Sequence, residues 1–280
     1  MAPVRRRVLQ VCGWSSLAGR GDMTQSLDGR VAVVTGASRG IGKSIALELA
    51  SAGGRVACFA TRKANAGDVV DAIVAQGGEA LPIGCRVENA REVTAAFEEV
   101  SATLGPVDLL VNNAGVSNPM VTMEMTEENW DQHMNVNCKS VFLCSQAAAR
   151  QMKDRRGGNI VNIGSILGRN AFPATLGYCA SKAAVDHMTR VMAIEWARYG
   201  IRVNCIVPGY IRTELIDQLQ RDGKLELADL ERRTPQRRLG SGEDIAKAVR
   251  FVASEDAGFM TGEAVVIDGG WSAFGYYQPK

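Results

Sequence analysis

From residue 27 onward, short runs of β-branched and apolar residues alternate with longer amphipathic stretches, and this alternation is the tightest constraint the chain places on its own fold. Strands are predicted over 31–35, 56–60, 80–84, 107–111, 159–163, 201–207 and 264–268. Helical stretches are predicted between them, over 41–52, 66–76, 89–104, 127–153, 174–198 and 242–254. Strict alternation demands crossover connections, which are right-handed and put helices on both faces of a parallel sheet. The expectation is a single α/β domain over 27–280, built on a doubly wound, seven-stranded parallel sheet. No repeat or linker divides the series. Its one loose connection is 209–240, a charged stretch with Gly223 and Pro235. Ligands in such sheets bind beyond the carboxyl ends of the strands, so this stretch is expected to fold over the site as a substrate lid, the plainer alternative being a surface excursion.

Composition narrows the function classes. At 280 residues and 46% hydrophobic content the chain buries a sizeable core. Of the formal charge of +2, residues 1–26 hold +3, with Arg5, Arg6, Arg7 and Arg20 against Asp22, which leaves the body at −1. A near-neutral body argues against a nucleic-acid partner. The seven cysteines are odd in number, never spaced C-x-x-C and mostly set in apolar runs, so they read as reduced thiols of a cytoplasmic protein. With two histidines, 133 and 187, and no Cys/His cluster, no metal is expected. No apolar stretch approaches the ~18 residues that span a bilayer, so no membrane partner is expected either. Residues 1–26 read as a disordered extension, with an organellar address in 1–22 as the weaker alternative.

The first strand, Val31 to Thr35, runs into Gly36-Ala-Ser38-Arg39-Gly40-Ile41-Gly42 and then a helical stretch. Strand, glycine-rich turn and helix start in this order suit a dinucleotide: the glycines let the backbone approach a pyrophosphate, and free N–H groups with the positive dipole end of the helix favour its charge. The second strand closes on Ala60-Thr61-Arg62-Lys63, where a site for NAD places a carboxylate on the ribose 2′-hydroxyl. Cations stand there instead, with Ser38 and Arg39 in the facing turn. NADP(H) is therefore the expected cofactor and NAD(H) the alternative.

Catalytic residues are sought at the fifth strand. It delivers Ser165 at its carboxyl end, and Tyr178-x-x-x-Lys182 follows in a helical stretch whose four-residue spacing sets phenol and ammonium on one face. Acid/base work by a tyrosine near neutrality needs its pKa lowered by about 3 units, and an adjacent ammonium supplies part of that. Ser165 then holds the substrate oxygen for hydride attack. The tyrosine–lysine pair alone is weak: five tyrosines and eight lysines in 280 residues produce it by chance about one time in seven. Its place after a serine at a strand end gives it weight. Between Asn135 and Asn137 the pattern does not choose, and His133 and His187 read as ordinary helix residues.

With these pieces in hand, the chain resembles the short-chain dehydrogenase/reductase family. The resemblance rests on Thr35-Gly-Ala-Ser-Arg-Gly-Ile-Gly42, Asn112-Asn113-Ala114-Gly115, Asn137, Ser165, Tyr178-x-x-x-Lys182 and Pro208-Gly209 with Thr213, in the family's order from 27 to about 270. It implies a Rossmann-like fold and a Ser165–Tyr178–Lys182 triad extended by Asn137, which holds a water in the proton relay. It further implies that Lys182 binds the nicotinamide ribose, that Asn113 and Ala114 lie near the adenosine, that Ile211 and Thr213 contact the carboxamide, and that the protein is a homotetramer. The tyrosine–lysine spacing favours carbonyl/alcohol chemistry over that of related enoyl reductases. One position departs: Cys85-Arg86-Val87 stands where the family has an aspartate on the adenine. Arg86 has no acceptor to offer, which leaves the Val87 backbone or stacking by the guanidinium.

The expected activity is hydride transfer between NAD(P)(H) and a carbonyl or secondary alcohol, on a small molecule such as a 3-oxoacyl thioester, ketone, sugar or polyol. NAD-dependent polyol or hydroxysteroid oxidation and a silent dinucleotide-binding module are the rival readings. Small residues on 127–153 and 174–198 suit close helix packing within a subunit or across a two-fold axis, giving a homotetramer or homodimer. Arg169 and Arg212 are candidates to meet an anionic substrate. The aromatic run Trp271 to Tyr277 is expected at a subunit contact or beside the substrate pocket.

Overall fold

The computed structural model describes residues 27–155, 157–221, 223 and 226–275. The expected disordered extension at 1–26, and Tyr276 and Tyr277 of the aromatic run, lie outside the described residues. Seven strands form one sheet in which every pairing is parallel: β1 Val31–Thr35, β2 Arg55–Ala60, β3 Ala80–Gly84, β4 Leu109–Asn112, β5 Gly158–Ile163, β6 Ile201–Pro208 and β7 Ala264–Ile267. Their order is β3-β2-β1-β4-β5-β6-β7. The chain winds outward from β1 to β3, then returns to β1's other side, so the topology reverses between β1 and β4. That reversal opens a crevice beyond the strand ends, where ligands of such sheets bind.

A parallel sheet covered on both faces needs apolar residues at consecutive positions, and β1 supplies them: all five of its residues are buried. Because successive side chains face opposite ways, Ala32 and Val34 join one core and Val31 and Val33 the other. The first core is completed by α1 Gly40–Ser51, α2 Gly67–Ala75 and α9 Gly242–Ala253, through residues such as Ile45, Leu49, Val69 and Val249. Opposite it lie α3 Ala90–Thr103, α5 Ser140–Lys153 and α6 Leu176–Trp196, through Phe97, Cys144, Ala148 and Val185.

Two stretches differ from the sequence reading. The predicted helix over 127–153 is interrupted: α4 Glu127–His133 passes into a π-helical turn, Met134–Lys139, before α5 begins. A wider turn rotates everything after it relative to a regular helix, and it carries Asn137 into the interior. The stretch 209–240 is not merely an extended connection. It holds α7 Glu214–Arg221 and α8 Leu227–Arg233, and Leu227, Leu230 and Leu239 pack together with Tyr210 and Trp271.

Candidate active site

All the residues singled out from the sequence stand at or just beyond the carboxyl ends of the strands or on the helices that follow. Gly36 and Gly40 in the turn after β1 adopt φ of +64° and +55°, where a side chain is strained. Gly42, at the start of α1, is required for packing instead: a Cβ there would lie 2.2 Å from the Gly36 oxygen and 2.4 Å from Asn113 Nδ2. Helix α1 has no side-chain cap and no acidic residue in its first turn, unlike α3 and α9, which Asn89 and Ser241 cap. Its leading N–H groups are therefore left for an anion.

The turn is braced from β4. Thr35 Oγ1 accepts the backbone N–H groups of Asn113 and Ala114 at 2.9 and 3.0 Å, and Asn113 Nδ2 donates to the oxygens of Thr35 and Gly36 at 2.9 and 3.1 Å. Both amide protons of Asn113 are thus engaged in shaping the turn. A Cβ on Gly36 would meet the Ala114 backbone at 2.9 Å, so β1 and β4 diverge from a point of direct contact. Across the crevice, Thr213 Cγ2 lies 3.6 Å from where a Cβ on Gly40 would stand, and Ile211 is buried and bridged to Gly240.

On the β2 side, Thr61, Arg62 and Lys63 are exposed. Lys63 pairs with Glu99 at 3.2 Å, whereas Arg39 and Arg62 form no ion pair among the described residues. Beyond β3, Val87 is buried while Arg86 is exposed and drawn onto Glu92: Nε and the backbone N–H donate to its carboxylate at 2.8 Å each, and Nη2 at 2.5 Å. That pair holds the Glu92 carboxyl below its usual range.

The tyrosine and lysine are not a surface pair. Lys182 is 5% exposed, and its ammonium donates to the Ile163 oxygen at the end of β5 at 2.8 Å and lies 5.9 Å from the Tyr178 ring centre. Burial lowers its pKa to about 8, with a small opposing pull from Cys205. Burial likewise raises the Tyr178 phenol, against a lowering by the Ser165 hydroxyl. The phenol is thus raised where the lysine four residues on led to the expectation of a lowered one, because desolvation is the largest influence on it. Ser165 leads a short 3₁₀ turn, Ile166–Gly168, and its Oγ accepts from Leu167 N at 3.1 Å.

Asn137, and not Asn135, is the asparagine that is fully buried. Its Oδ1 accepts from Val116 N at 2.8 Å, and Nδ2 donates to the Val116 oxygen at 2.9 Å and to Ser181 Oγ at 3.1 Å. Oδ1 and the Lys182 ammonium both lie within 4 Å of where a Cβ on Gly115 would stand, at 3.4 and 3.7 Å. Sequence reasoning missed Thr35 and Ser181, whose hydroxyls hold these pieces together. It also missed a buried polar chain beneath the site: Asn112 Nδ2 donates to Ser145 Oγ and Asn162 Oδ1, and Asn162 Nδ2 to Thr189 Oγ1. The signal available was a buried-strand asparagine near the carboxyl end of each of two strands, Asn112 closing β4 and Asn162 next to last in β5.

Neither candidate arginine is free. Arg169 is 3.2 Å from Asp186, and Arg212 is 3.0 Å from Asp217. The rings of Trp271 and Tyr210 meet at a tilt of 56° with centres 4.7 Å apart, and the Arg233 guanidinium lies over the rings of Trp271 and Phe274 at 4.7 and 5.0 Å. The described part of the aromatic run therefore packs within the subunit, against the helices of 209–240.

Among known proteins, a family model described as Enoyl-(Acyl carrier protein) reductase matches residues 36–272. The 3-oxoacyl-[acyl-carrier-protein] reductase FabG of Staphylococcus aureus is 41% identical over 240 residues, covering 85% of this chain and 96% of that protein. Its counterpart in Haemophilus influenzae is 38% identical over 244 residues, 87% of this chain and 98% of that one. Among solved structures, a short-chain type dehydrogenase/reductase from Mycobacterium marinum superposes with a TM-score of 0.84 at 39% identity, covering 89% of this chain and 98% of that chain. A gluconate 5-dehydrogenase from Burkholderia cenocepacia, in complex with NADP and tartrate, gives 0.85 at 35%, covering 90% and 98%.

Proposed function

Because the chain belongs to the short-chain dehydrogenase/reductase family, we propose that Asn137, Ser165, Tyr178 and Lys182 are its catalytic set and that it reduces, with NADPH, the ketone of a substrate that is uncharged and partly apolar around that ketone. The protein is an oxidoreductase that moves a hydride between NAD(P)(H) and a carbonyl or alcohol carbon of a small molecule.

A bound nicotinamide supplies or takes up the hydride. Around it, Ser165 donates a hydrogen bond to the carbonyl oxygen, and Tyr178 delivers its proton to that same oxygen as the carbon is reduced. The Lys182 ammonium, buried and close by, favours the phenolate left behind. Asn137, fixed by Val116 and Ser181, stands beside that ammonium as the start of a route for the returning proton. The observation that carries this reading is the Tyr178 ring set beside the buried Lys182 ammonium, 5.9 Å from its centre, with the Ser165 hydroxyl as the partner of the phenol.

The uncapped start of α1 with Gly36, Ser38, Arg39, Gly40, Ile41 and Gly42 fits a pyrophosphate. In this reading Thr61, with the unpaired Arg39 and Arg62, takes the 2′-phosphate and favours NADP(H) over NAD(H). The Val87 backbone meets the adenine, and Ala114 and Gly115 line the middle of the cofactor. Pro208, Gly209, Ile211 and Thr213 meet the carboxamide end.

For the substrate, carboxylates already neutralise Arg169 and Arg212, which disfavours a sugar acid. Val121, Met123, Phe172 and Leu176 are exposed on two segments that the Met120 N to Ala174 O bond joins, an apolar rim suited to an acyl chain. A 3-oxoacyl thioester meets both conditions, and the tyrosine–lysine spacing fits its carbonyl. Residues 209–240 act as the lid. The exposed apolar residues of α5 and α6, with Phe142 and Val191 among them, make the two-fold contact of a homotetramer, and the buried thiols suit a cytoplasmic setting. Oxidation of NADPH, followed by absorbance with acetoacetyl thioesters, cyclic ketones and keto sugar acids, tests the substrate reading. Turnover of keto sugar acids alone overturns it.

A further inference from the structure

His133, at the end of α4, is 1% exposed, and the mechanism makes no use of it. Its Nδ1 is 2.8 Å from the carbonyl oxygen of Asn129, and its Nε2 is 3.1 Å from the backbone nitrogen of Asn118. A carbonyl only accepts and a peptide N–H only donates, so the ring proton must sit on Nδ1 while Nε2 stays bare. The ring is thereby fixed in one tautomer, with both nitrogens engaged in hydrogen bonds to the backbone.

What the ring holds is the wall of the cleft. Asn118 lies in 116–121, the segment that carries part of the apolar rim. It is tied to α4 twice more, its oxygen accepting from Asn129 Nδ2 at 3.3 Å and its Nδ2 donating to Gln132 Oε1 at 2.6 Å. Two residues back, Asn137 grips Val116, and two residues on, Met120 bonds to Ala174. On its other side the ring presses on the first turn of α6: a Cβ at Gly177 would lie 3.0 Å from Nδ1, and the Tyr178 ring stands edge-on with centres 6.5 Å apart. One buried ring thus joins the wall of the cleft to the turn that presents the acid.

We propose that His133 is a positioning residue for the substrate: its bare Nε2 holds residues 116–121 at a set distance from Tyr178, and through them the carbonyl that Tyr178 protonates. An aliphatic residue would fill the same volume but offer Asn118 no acceptor. The inference rests on Tyr178 being the acid of the proposed reduction. It predicts an effect on substrate binding that spares the cofactor, since no bond of His133 reaches the glycine turn.

The test compares His133→Leu with His133→Gln, whose amide oxygen can accept from Asn118. In the leucine variant the KM for an acetoacetyl thioester should rise about tenfold, the worth of one hydrogen bond, with kcat within about threefold. NADPH affinity, read by fluorescence, should stay within about twofold of wild type, and amide exchange over 116–121 should quicken about tenfold. The glutamine variant should recover most of the lost affinity. Gly177→Ala, pushing on the ring from the other side, should also raise KM. Unchanged KM and exchange in the leucine variant overturn the proposal. So does a loss of NADPH affinity in step with KM in both His133 variants, the mark of general loosening. If the wild-type protein reduces no ketone while His133→Leu still loosens 116–121, the reduction reading fails and, with it, the positioning of its carbonyl, while the hold of His133 on 116–121 stands.

Discussion

Lys182→Met should make the protein more stable and inactive at once. The ammonium is 5% exposed and has one hydrogen bond among the described contacts, to the Ile163 oxygen, so little compensates it for leaving water. Lowering its pKa from 10.5 to about 8 corresponds to about 3 kcal/mol against the charged form. Methionine keeps the aliphatic stem and removes that charge, while the Ile163 oxygen loses a donor, which takes back about 1 kcal/mol. The net gain is about 2 kcal/mol near pH 7, or roughly 4–8 °C in Tm for a chain of this size. The sign with pH follows from proton counting. Between about 8 and 10.5 the unfolded lysine is still protonated while the folded one is not, so wild-type stability from this group rises with pH across that window. The advantage of the variant should therefore be full below about pH 8 and vanish above about pH 10.5. Urea unfolding of the cofactor-free proteins at one fixed concentration measures it. A variant less stable than wild type near neutrality, or an advantage that does not shrink as pH rises, would refute the argument that desolvation governs this group.

Tyr178→Phe should lower kcat by at least about a thousandfold, since it removes the proton donor, with NADPH affinity within about twofold; turnover near wild type would remove Tyr178 from the mechanism. Gly42→Ala places a methyl 2.2 Å from the Gly36 oxygen and should cost at least about thirtyfold in NADPH affinity by calorimetry, because the turn must open to admit it. Arg39→Ala with Arg62→Ala should lower the ratio of kcat/KM for NADPH over NADH by at least about tenfold; an unchanged ratio would mean that neither guanidinium meets a 2′-phosphate.

The strands and the glycine turn were legible because what they require is local. A strand buried on both faces needs a run of apolar residues, and a turn at positive φ needs glycine, so β1 and the glycine turn can be read from twelve consecutive residues. Groups whose character depends on partners far along the chain were not. His133 read as an ordinary helix residue because its acceptor role exists only once Asn118 folds back on it across 15 positions. The phenol at 178 was expected low because the lysine four residues on is visible in the sequence, whereas the desolvation that raises it comes from the tertiary fold. Nor can a 3.6-residue period show the π-helical turn at Met134–Lys139, a small local widening that decides which asparagine points inward.

The stretch 209–240 failed to read as helical for a different reason, and that reason bears on how the proposed lid would work. Helices α7 and α8, with 8 and 7 residues, are too short to display a period and too short to hold together alone in water. What α8 packs on is distant in sequence: Leu227 and Leu230 rest on Tyr210 and Trp271, while Arg233 lies over Trp271 and Phe274 and donates to both of their carbonyls. Asn170, five residues after Ser165, reaches the same segment through Ser272 at 3.2 Å. The segment from Trp271 to Phe274 therefore couples α8 to the loop that carries Ser165. If 209–240 serves as the proposed lid, a movement of α8 must either carry these rings along or break their contact with Tyr210, so its opening would be tied to residues 271–274 and not free to occur in 209–240 alone.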